Sequence, residues 1–291
     1  MARNRNIAFL VFFGGALFLT LVAVAVYIAV LFVADDDVGF GDAVAVVDVQ
    51  GEILYDLWKV QEIESHRDND RVKAILIHIN TPGGGVAASQ AIYRATVSAR
   101  ERKPVVAFLG PLATSGGYYV ACAADTIVAY EGTLTGSIGV IASFVHTEEL
   151  FRKVGLGVTV IKAGKYKDVG SPHREMTDAE RLYMGALLDN VYVQFLNAVS
   201  DGRRMPMAQV EELAEGRLYS GEEALALGLV DRIGTYEEAL ALAAAMGGIA
   251  PPPRVIRKRR KRPLAETLLG RVASNLPALA GERVQLQYIM P

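Results

Sequence analysis

Ser115 is the residue best placed for covalent chemistry, because it lies between a predicted strand and a predicted helix. An apolar run from Val105 to Leu109 precedes it, and a helical pattern of small residues follows over 116–124. A hydroxyl on such a turn lies at the edge of a sheet, beside the free amides of the helix N-terminus at Gly116 and Gly117. Because those amides carry partial positive charge, they suit a developing oxyanion. The segment therefore predicts a nucleophilic serine.

A nucleophilic serine needs a base, and the four histidines of the chain are weak candidates. His78 lies inside an apolar strand, where a hydrogen-bonded core histidine is the common outcome. His66 lies in a charged helical stretch. His146 and His173 stay open as bases, although no motif surrounds either of them.

Lysine is the stronger alternative. Lys165 and Lys167 lie in a loop that follows a predicted strand and is bounded by glycines, a setting in which backbone can carry a side chain into a cleft. A lysine accepts the serine proton only when it is neutral, and full burial can lower the pKa of a lysine by up to about 3 to 5 units. Ser–Lys pairs are a known variant of the catalytic triad. A solvated charge is the alternative for either lysine, and chain spacing alone does not bring Lys167 to Ser115.

The glycine-rich segment Pro82 to Gly85 follows a second apolar strand, Val72 to Ile79. It lacks both the Lys-Ser/Thr of a P-loop and the G-x-G-x-x-G spacing, which argues against a phosphate cradle. It can instead supply an oxyanion N–H and an exposed edge for an extended peptide. A plain structural turn is the remaining interpretation.

The N-terminal residues predict a membrane anchor. Residues 1–6 carry two arginines, and residues 7–33 carry no charge, a run longer than the roughly 20 residues that a membrane-spanning helix needs. The run is also too long for a signal-peptide core, and no clear cleavage site follows it. Three consecutive aspartates, Asp35 to Asp37, follow the run at the start of the linker 34–42, so the N-terminus is expected in the cytoplasm and the remainder outside it.

Alternating strands and helices over 43–250 predict one α/β domain with a mostly parallel sheet. The pattern includes a strand at Val158 to Lys162 and a Thr-x-x-Glu capping box that begins a long helix at Thr177. Residues 251–291 form a predicted basic tail of net charge about +7, against about −11 for the body. Docking of the tail on the body and a solvated charge run are both open.

The single cysteine, Cys122, excludes an internal disulfide framework and a cysteine-based zinc site. It lies in the predicted helix behind Ser115, where a small buried hydrophobic residue is the expected role.

Together these segments resemble the signal peptide peptidase A family of membrane-bound serine proteases. The matching motifs occur in the family's order: I-N-T-P-G-G-G-V-A-A-S-Q from Ile79, T-S-G-G-Y-Y-V-A from Thr114, T-G-S-I-G-V-I from Thr135 and K-D-V-G-S-P from Lys167. A further stretch, R-L-Y-S-G-E-E-A-L-A-L-G-L-V-D from Arg217, is similar to the closing segment that this family shares with the Clp protease proteolytic subunit. The likeness covers about residues 43–247 and the N-terminal anchor.

The resemblance implies a Clp/crotonase-like α/β fold of repeated ββα units and assigns catalytic side chains. Ser115 matches the family's nucleophile, and Lys167, rather than Lys165, matches its lysine base. Ser137 matches the serine thought to orient that lysine.

The resemblance also implies backbone donors, partners and substrates. The oxyanion donors match backbone at Gly83 or Gly84 and at Gly116, while Thr81 stands where the family usually has serine. The implied activity is cleavage of remnant signal peptides and other apolar peptides, by a ring of eight copies at the membrane lipid. No metal, cofactor or nucleic acid is implied.

Two other function classes account for less of the sequence. A crotonase-like acyl-CoA enzyme on the same fold would need a nucleotide site and would gain nothing from an anchor outside the cytoplasm. An inactive membrane scaffold would need only assembly. Separate replacement of Ser115 and Lys167 distinguishes all three.

Overall fold

The computed structural model describes residues 15, 18–26, 41–54, 57–258 and 287–289. The chain divides into two compact units, 1–41 and 42–291. In the first unit, residues 15 and 18–26 are helical and exposed. Most of the predicted anchor 7–33, all of residues 1–6 and most of the linker 34–42 lie outside the described residues. Within the described part of the chain, no helix has the length and hydropathy to cross a membrane.

The second unit is built on a sheet of eight strands that is parallel except at one pair. The strands are β1 Ala43–Gln50, β2 Val72–Thr81, β4 Val105–Thr114, β5 Thr126–Ala129, β6 Leu134–Gly136, β7 Leu218–Ser220, β8 Arg232–Ile233 and β9 Arg254–Ile256. The central strands run in the order β4, β2, β1 and end at β9. Strand β4 also pairs with β6, which pairs with β7, and with β5, which pairs with β8. The antiparallel pair is β6 with β7. A separate antiparallel pair joins β3 Gly83–Gly85 to β10 Gln287–Ile289.

Helices cover both faces of this sheet, which explains the nearly continuous apolar sequences of its central strands. The larger core contains Ile63, Ile92, Tyr118 and Phe195, from four different helices. The smaller core lies on the other face, against the last helix. The helices are α1 Leu57–Asp68, α2 Val86–Arg100, α3 Gly116–Ala121, α4 Glu148–Lys153, α5 Asp178–Arg203, α6 Met207–Leu213, α7 Gly221–Ala226 and α8 Tyr236–Met246.

The prediction of an α/β unit with a mostly parallel sheet is confirmed, and the capping box that begins α5 is present: Thr177 accepts from the Glu180 amide, and Glu180 returns the contact. The predicted strand at Val158–Lys162 is wrong. These residues have no regular secondary structure and are exposed. A strand requires a neighbouring strand for its backbone hydrogen bonds, and the described residues supply none at this place.

The segment predicted as a tail contributes two strands. Arg254–Ile256 pairs in parallel with Ala43–Ala45 of β1, and Gln287–Ile289 pairs with β3. Residue 250 is therefore not the end of the folded unit, because the main sheet takes its edge strand from beyond it.

Asp48 and His78 are polar residues within the apolar central strands, and each is the hydrogen-bond partner of the other. Asp48 of β1 and His78 of β2 are direct cross-strand neighbours, with Nδ1 of the histidine 2.9 Å from the carboxylate. Arg257, just after β9, lies 3.3 Å from the same carboxylate. Although partial burial opposes it, contact with His78 and Arg257 holds the pKa of Asp48 below its usual value. His78 is thus a hydrogen-bonded histidine of the sheet.

Candidate functional site

Ser115 lies on a strained turn between β4 and α3. Its φ of 53° and ψ of −116° are in a region that residues other than glycine rarely adopt. The turn is held by hydrogen bonds from the Ser115 amide to the Gly136 carbonyl (2.8 Å) and from the Tyr119 amide to the Ser115 carbonyl (2.9 Å). The residue is 1% exposed. Strain retained at a buried serine is typical of a functional position rather than of an ordinary turn.

The second residue of the helix after Ser115 is glycine for a steric reason. A Cβ at Gly117 would lie 2.6 Å from the methyl group of Thr81 on β2, so the close approach of α3 to the sheet requires glycine there. Among the described residues, no acceptor bonds to the amides of Gly116 or Gly117. These amides are available to an oxyanion beside the Ser115 hydroxyl.

The glycine-rich segment is fixed by the end of β1 and by Thr81. The Thr81 hydroxyl donates to the Gly51 carbonyl and accepts the Gly83 amide at 3.0 Å. Ile53 makes two further backbone hydrogen bonds to the segment. Its amide donates to the Gly83 carbonyl at 2.7 Å, and its carbonyl accepts from the Gly85 amide at 2.8 Å. A Cβ at Gly84 would lie 2.1 Å from the Ile53 carbonyl oxygen, so only glycine fits.

Gly83 and Gly84, the two glycines of this segment expected to supply an oxyanion donor, differ in their contacts. The Gly83 amide is already bonded to Thr81. Gly84 lies opposite Tyr288 in the register of β3 with β10. The segment is joined to the nucleophile's strand by a hydrogen bond from the Thr114 hydroxyl to the Pro82 carbonyl, 3.1 Å long. The glycine-rich segment and Ser115 therefore border one site.

Strand β10 occupies the edge of that segment. It runs antiparallel to β3, with Gln287 opposite Gly85 and Ile289 opposite Gly83. Its chain direction therefore leads from the start of α2 toward Pro82, the residue bonded to Thr114. An extended peptide can pair with this edge, since the chain's own segment does so.

Ser137 lies next to Ser115. Strand β6 pairs with the end of β4, placing Gly136 opposite Thr114. Ser115 and Ser137 are thus the next residues on two paired strands. Ser137 is nearly buried and also has positive φ, 50°, and its amide donates to the Arg217 carbonyl at 2.7 Å. The structure brings these two predicted site residues together.

Lys167 is placed differently. It lies on an exposed turn, and its amide donates to the Gly164 carbonyl at 3.2 Å. Within the described part of the chain, its ammonium group makes no hydrogen bond or ion pair, either to Ser115 or to Ser137. Lys165 is also exposed, with its ammonium 5.1 Å from the Tyr166 ring centroid. Neither lysine is in contact with the predicted nucleophile in a single copy.

The turn belongs to an arm, residues 141–177, that carries an unusual amount of exposed apolar surface. Its helix α4 has no buried residue, and Ile161 is 96% exposed. The other exposed large apolar side chains of the arm are Ile141, Val145, Leu150, Val154, Leu156, Val158, Val160 and Tyr166.

In the described structure no histidine side chain hydrogen-bonds to Ser115. His66 is buried beside Glu62, 3.9 Å away, and His78 bonds to Asp48. His173 packs on Phe151, with ring centroids 5.0 Å apart, and His146 is exposed on the arm.

A charged cluster beside Lys167 was not anticipated from the sequence. It comprises Lys162, Asp168, Arg174 and Glu180, which are linked by ion pairs. Its members alternate in sign at a constant spacing of six residues. That alternation is the sequence signal that could have revealed it.

No metal site is evident among the described residues, where no three His, Cys, Asp or Glu side chains form a group suited to one. Cys122 is fully buried, and burial raises the pKa of its thiol to about 12. Since the thiolate is the reactive form of cysteine, Cys122 is a packing residue.

Comparison with known proteins relates the chain to a group of peptidases. The family described as Peptidase family S49 matches residues 98–249, just over half of the chain. The slr0021 protein of Synechocystis sp., by name a candidate protease, is 43% identical over 184 residues, which are 63% of this chain and 66% of that protein. The Serine protease SPPA, chloroplastic, of Arabidopsis thaliana is 35% identical over 205 residues, 70% of this chain and 30% of that protein.

The match thus spans less than two thirds of the length of these relatives. Among solved structures, a serine-to-alanine mutant of the 1510-N membrane-bound stomatin-specific protease is similar with a TM-score of 0.52 and 16% identity. The similarity covers 77% of this chain and all of that one. At this level of identity the likeness concerns the fold alone.

Proposed function

Because the chain belongs to peptidase family S49, as a member of the signal peptide peptidase A family, we propose that it is a serine endopeptidase that uses Ser115 as nucleophile and Lys167 as base. One observation carries the proposal: Ser115 is held at φ 53° on a turn between β4 and α3, directly before two amides that bond to no described acceptor. This is the arrangement that acyl transfer requires. The repeated strand–helix units are consistent with a Clp/crotonase-like variant of the α/β fold.

The proposed reaction has two halves. The neutral amine of Lys167 takes the proton of the Ser115 hydroxyl as its oxygen attacks the peptide carbonyl. Backbone amides at Gly116 and Gly84 stabilise the oxyanion. The lysine then gives its proton to the leaving amine, which leaves an acyl group on Ser115. A water molecule, deprotonated by the same lysine, releases the acid product and restores the hydroxyl.

Ser137 completes the proposed catalytic group. Its strand is paired with the nucleophile's strand, so its hydroxyl is available to bond and orient an incoming lysine amine. The oxyanion role of Gly83 is less favoured than that of Gly84, since the Gly83 amide is bonded to Thr81.

The base must reach Ser115, and we propose that a second copy of the chain supplies it. Ser115 is buried, whereas Lys167 is exposed on an arm with much unpaired apolar surface. Burying such surface stabilises assemblies by about 25 cal/mol per Å². A closed ring, proposed to contain eight copies, would cover the arms and provide one base for each nucleophile.

We propose that the substrates are peptides bound as an extra strand along β3. The glycine-rich edge already pairs with β10, so it is competent for backbone recognition. Residues 7–33, an uncharged run between arginines and aspartates, are proposed as a membrane anchor with the catalytic unit outside the cytoplasm. An anchored enzyme would meet apolar remnant signal peptides at the lipid surface.

The test uses the full chain and a fluorogenic apolar peptide. Ser115→Ala and Lys167→Ala should each lower kcat by at least about 10³-fold, while Lys165→Ala, the matched control, stays within about twofold. Activity retained in Ser115→Ala or Lys167→Ala would remove that residue from the mechanism. Hydrolysis of an acyl-CoA thioester in place of the peptide would favour the crotonase-like alternative, and assembly without turnover would favour a scaffold.

Mixing the two inactive variants tests the source of the base. If the lysine crosses a subunit boundary, a mixed assembly contains sites with an intact serine from one copy and an intact lysine from another. Activity should then return on mixing and subunit exchange. No recovery in assemblies shown to be mixed would mean that each chain uses its own lysine.

A further inference from the structure

Arg174 makes an unusually complete set of contacts beside the turn that carries Lys167. Its guanidinium binds Asp168 through two bonds, Nε to Oδ2 at 2.9 Å and Nη2 to Oδ1 at 2.8 Å. It binds Glu180 through two more, Nη1 to Oε2 at 2.8 Å and Nη2 to Oε1 at 2.5 Å. The planar guanidinium group thus binds two carboxylates at once, and these four hydrogen bonds fix both its position and its orientation.

These contacts join two parts of the chain that matter for the lysine. Asp168 immediately follows Lys167. Glu180 lies in the first turn of α5 and also bonds to Thr177 as part of the capping box. One side chain therefore ties the lysine's turn to the start of a 26-residue helix.

Both carboxylates that bind Arg174 stay ionised. Hydrogen bonds from Arg174 and, to a smaller extent, from Lys162 hold the pKa of Asp168 far below its usual value. Arg174 also lowers the pKa of Glu180 to about 2. Both carboxylates are therefore ionised at neutral pH and accept strong charge-assisted hydrogen bonds.

The turn is also fixed sterically. A Cβ at Gly170, which has φ +76°, would lie 2.3 Å from the Phe144 ring, so the backbone packs directly on that side chain. Among the described charges of this turn, Lys162, Asp168 and Arg174 form ion pairs, whereas the ammonium groups of Lys165 and Lys167 do not. The Lys165 ammonium lies 5.1 Å from the Tyr166 ring centroid, so Lys167 is left with neither an ion pair nor a ring contact among the described residues.

We propose that Arg174 is a positioning residue for Lys167: by gripping Asp168 and Glu180 together, it sets the direction in which the neighbouring amine leaves the arm. The inference rests on the proposed function, in which that amine is the base. Arg174 itself does not touch the reacting atoms. Its effect should appear in turnover rather than in peptide binding, since peptides are proposed to bind along β3.

Arg174→Gln tests this with the fluorogenic peptide and the full chain. A displacement of about 1 Å in a reacting group can cost about 10²-fold in rate, so kcat should fall about 10- to 100-fold while KM stays within about twofold. Arg174→Lys retains the charge but not the fork, and should recover only part of the loss. Asp168→Asn weakens the same contact from the other side and should reproduce the fall in kcat.

Arg102→Gln is the matched control. Arg102 also pairs with an aspartate, Asp68, at 2.6 Å, but both side chains are more than half exposed and lie outside the proposed site. This variant should have wild-type kcat and KM. Thermal unfolding of each variant shows whether the fold is retained.

The outcomes distinguish failure of the positioning role of Arg174 from failure of the proposed role of Lys167 as base. A kcat within twofold of wild type in folded Arg174→Gln and Asp168→Asn would overturn the positioning role. So would losses in which KM and the melting temperature change as much as kcat, because they would indicate a structural role. Wild-type activity in Lys167→Ala would instead refute the proposed function, whatever Arg174→Gln does.

Discussion

Ser115 and Ser137 occupy equivalent places on two paired strands: each is the residue directly after the Thr114–Gly136 pair, and both have positive φ, 53° and 50°. The Ser115 amide bonds across this pair to the Gly136 carbonyl. Two neighbouring strands are therefore each followed by a residue of positive φ, and they place two hydroxyl-bearing residues side by side. Strain at both positions is explained most simply by a requirement to hold these residues there.

The strain at Ser115 predicts an unusual order of stability. Ser115→Gly and Ser115→Ala both remove the proposed nucleophile, but glycine adopts positive φ without steric cost whereas alanine does not. We expect the glycine variant to be more stable than the alanine variant by about 1 kcal/mol, although glycine usually destabilises. Urea unfolding of the two inactive proteins measures the difference. A more stable alanine variant would mean that the turn carries no strain.

The close approach of α3 to β2 predicts a paired effect at Gly117 and Thr81. Gly117→Ala places a methyl group against the Thr81 methyl, 2.6 Å away, and should destabilise the fold by about 1 to 3 kcal/mol and lower activity by moving α3. Thr81→Ser removes that methyl but keeps the hydroxyl that bonds to Gly51 and Gly83.

The double variant Gly117→Ala/Thr81→Ser should therefore recover part of the stability that Gly117→Ala alone loses. A double-mutant cycle of unfolding free energies measures this coupling. Strictly additive losses would show that the two side chains do not compete for the same space.

If peptides bind along β3 as proposed, strand β10 competes with them for the same edge. Deletion of residues 287–291 removes the strand that pairs with Gly83–Gly85 and should lower KM for a peptide substrate several-fold, because substrate no longer displaces the chain's own segment. Alanine at 287, 288 and 289 together is the control, since it retains the backbone that forms the ladder. An unchanged KM on deletion would mean that β10 and substrate do not share this edge.

The ion pairs of the arm predict an acid-sensitive turn. The folded pKa of Glu180, about 2, lies below its ordinary value of 4.5, so the ionised carboxylate favours the folded arm above pH 4.5 and this contribution is lost as the pH falls toward 2. Pepsin should cleave within residues 162–175 at pH 2 but not at pH 4.5. Glu180→Gln should be cleaved at both, and equal resistance of the two proteins would contradict the argument.

Local sequence signals determine much of this structure. Helix α5 begins at the predicted capping box because Thr177 and Glu180 satisfy each other's amides. Ser115 could be assigned to a strand–helix turn for the same local reason. The position of Ser137 beside it depends on the pairing of β6 with β4, which chain spacing did not predict; the resemblance implied only a role for Ser137.

What the sequence could not provide depends on contacts distant along the chain. The pairing of Asp48 with His78 and the addition of Arg254–Ile256 to β1 are long-range choices with no local signal. The run Val158–Lys162 has strand-like composition, yet in one copy nothing described lies beside it to form a ladder. The meeting of Lys167 with Ser115 remains a prediction, because composition does not specify which surface an exposed arm will contact.

The short strand β9 has a consequence for how the protein behaves when crowded. An open sheet edge invites another chain to add to it, and fibrils grow by this route. Here the outermost strand has only three residues, and it leads at once into Arg257 and Lys258, which bond back to Tyr236 and Ser65. A strand from another molecule that paired with β9 would meet these cationic side chains after three residues. This edge of the sheet therefore resists strand addition and aggregation.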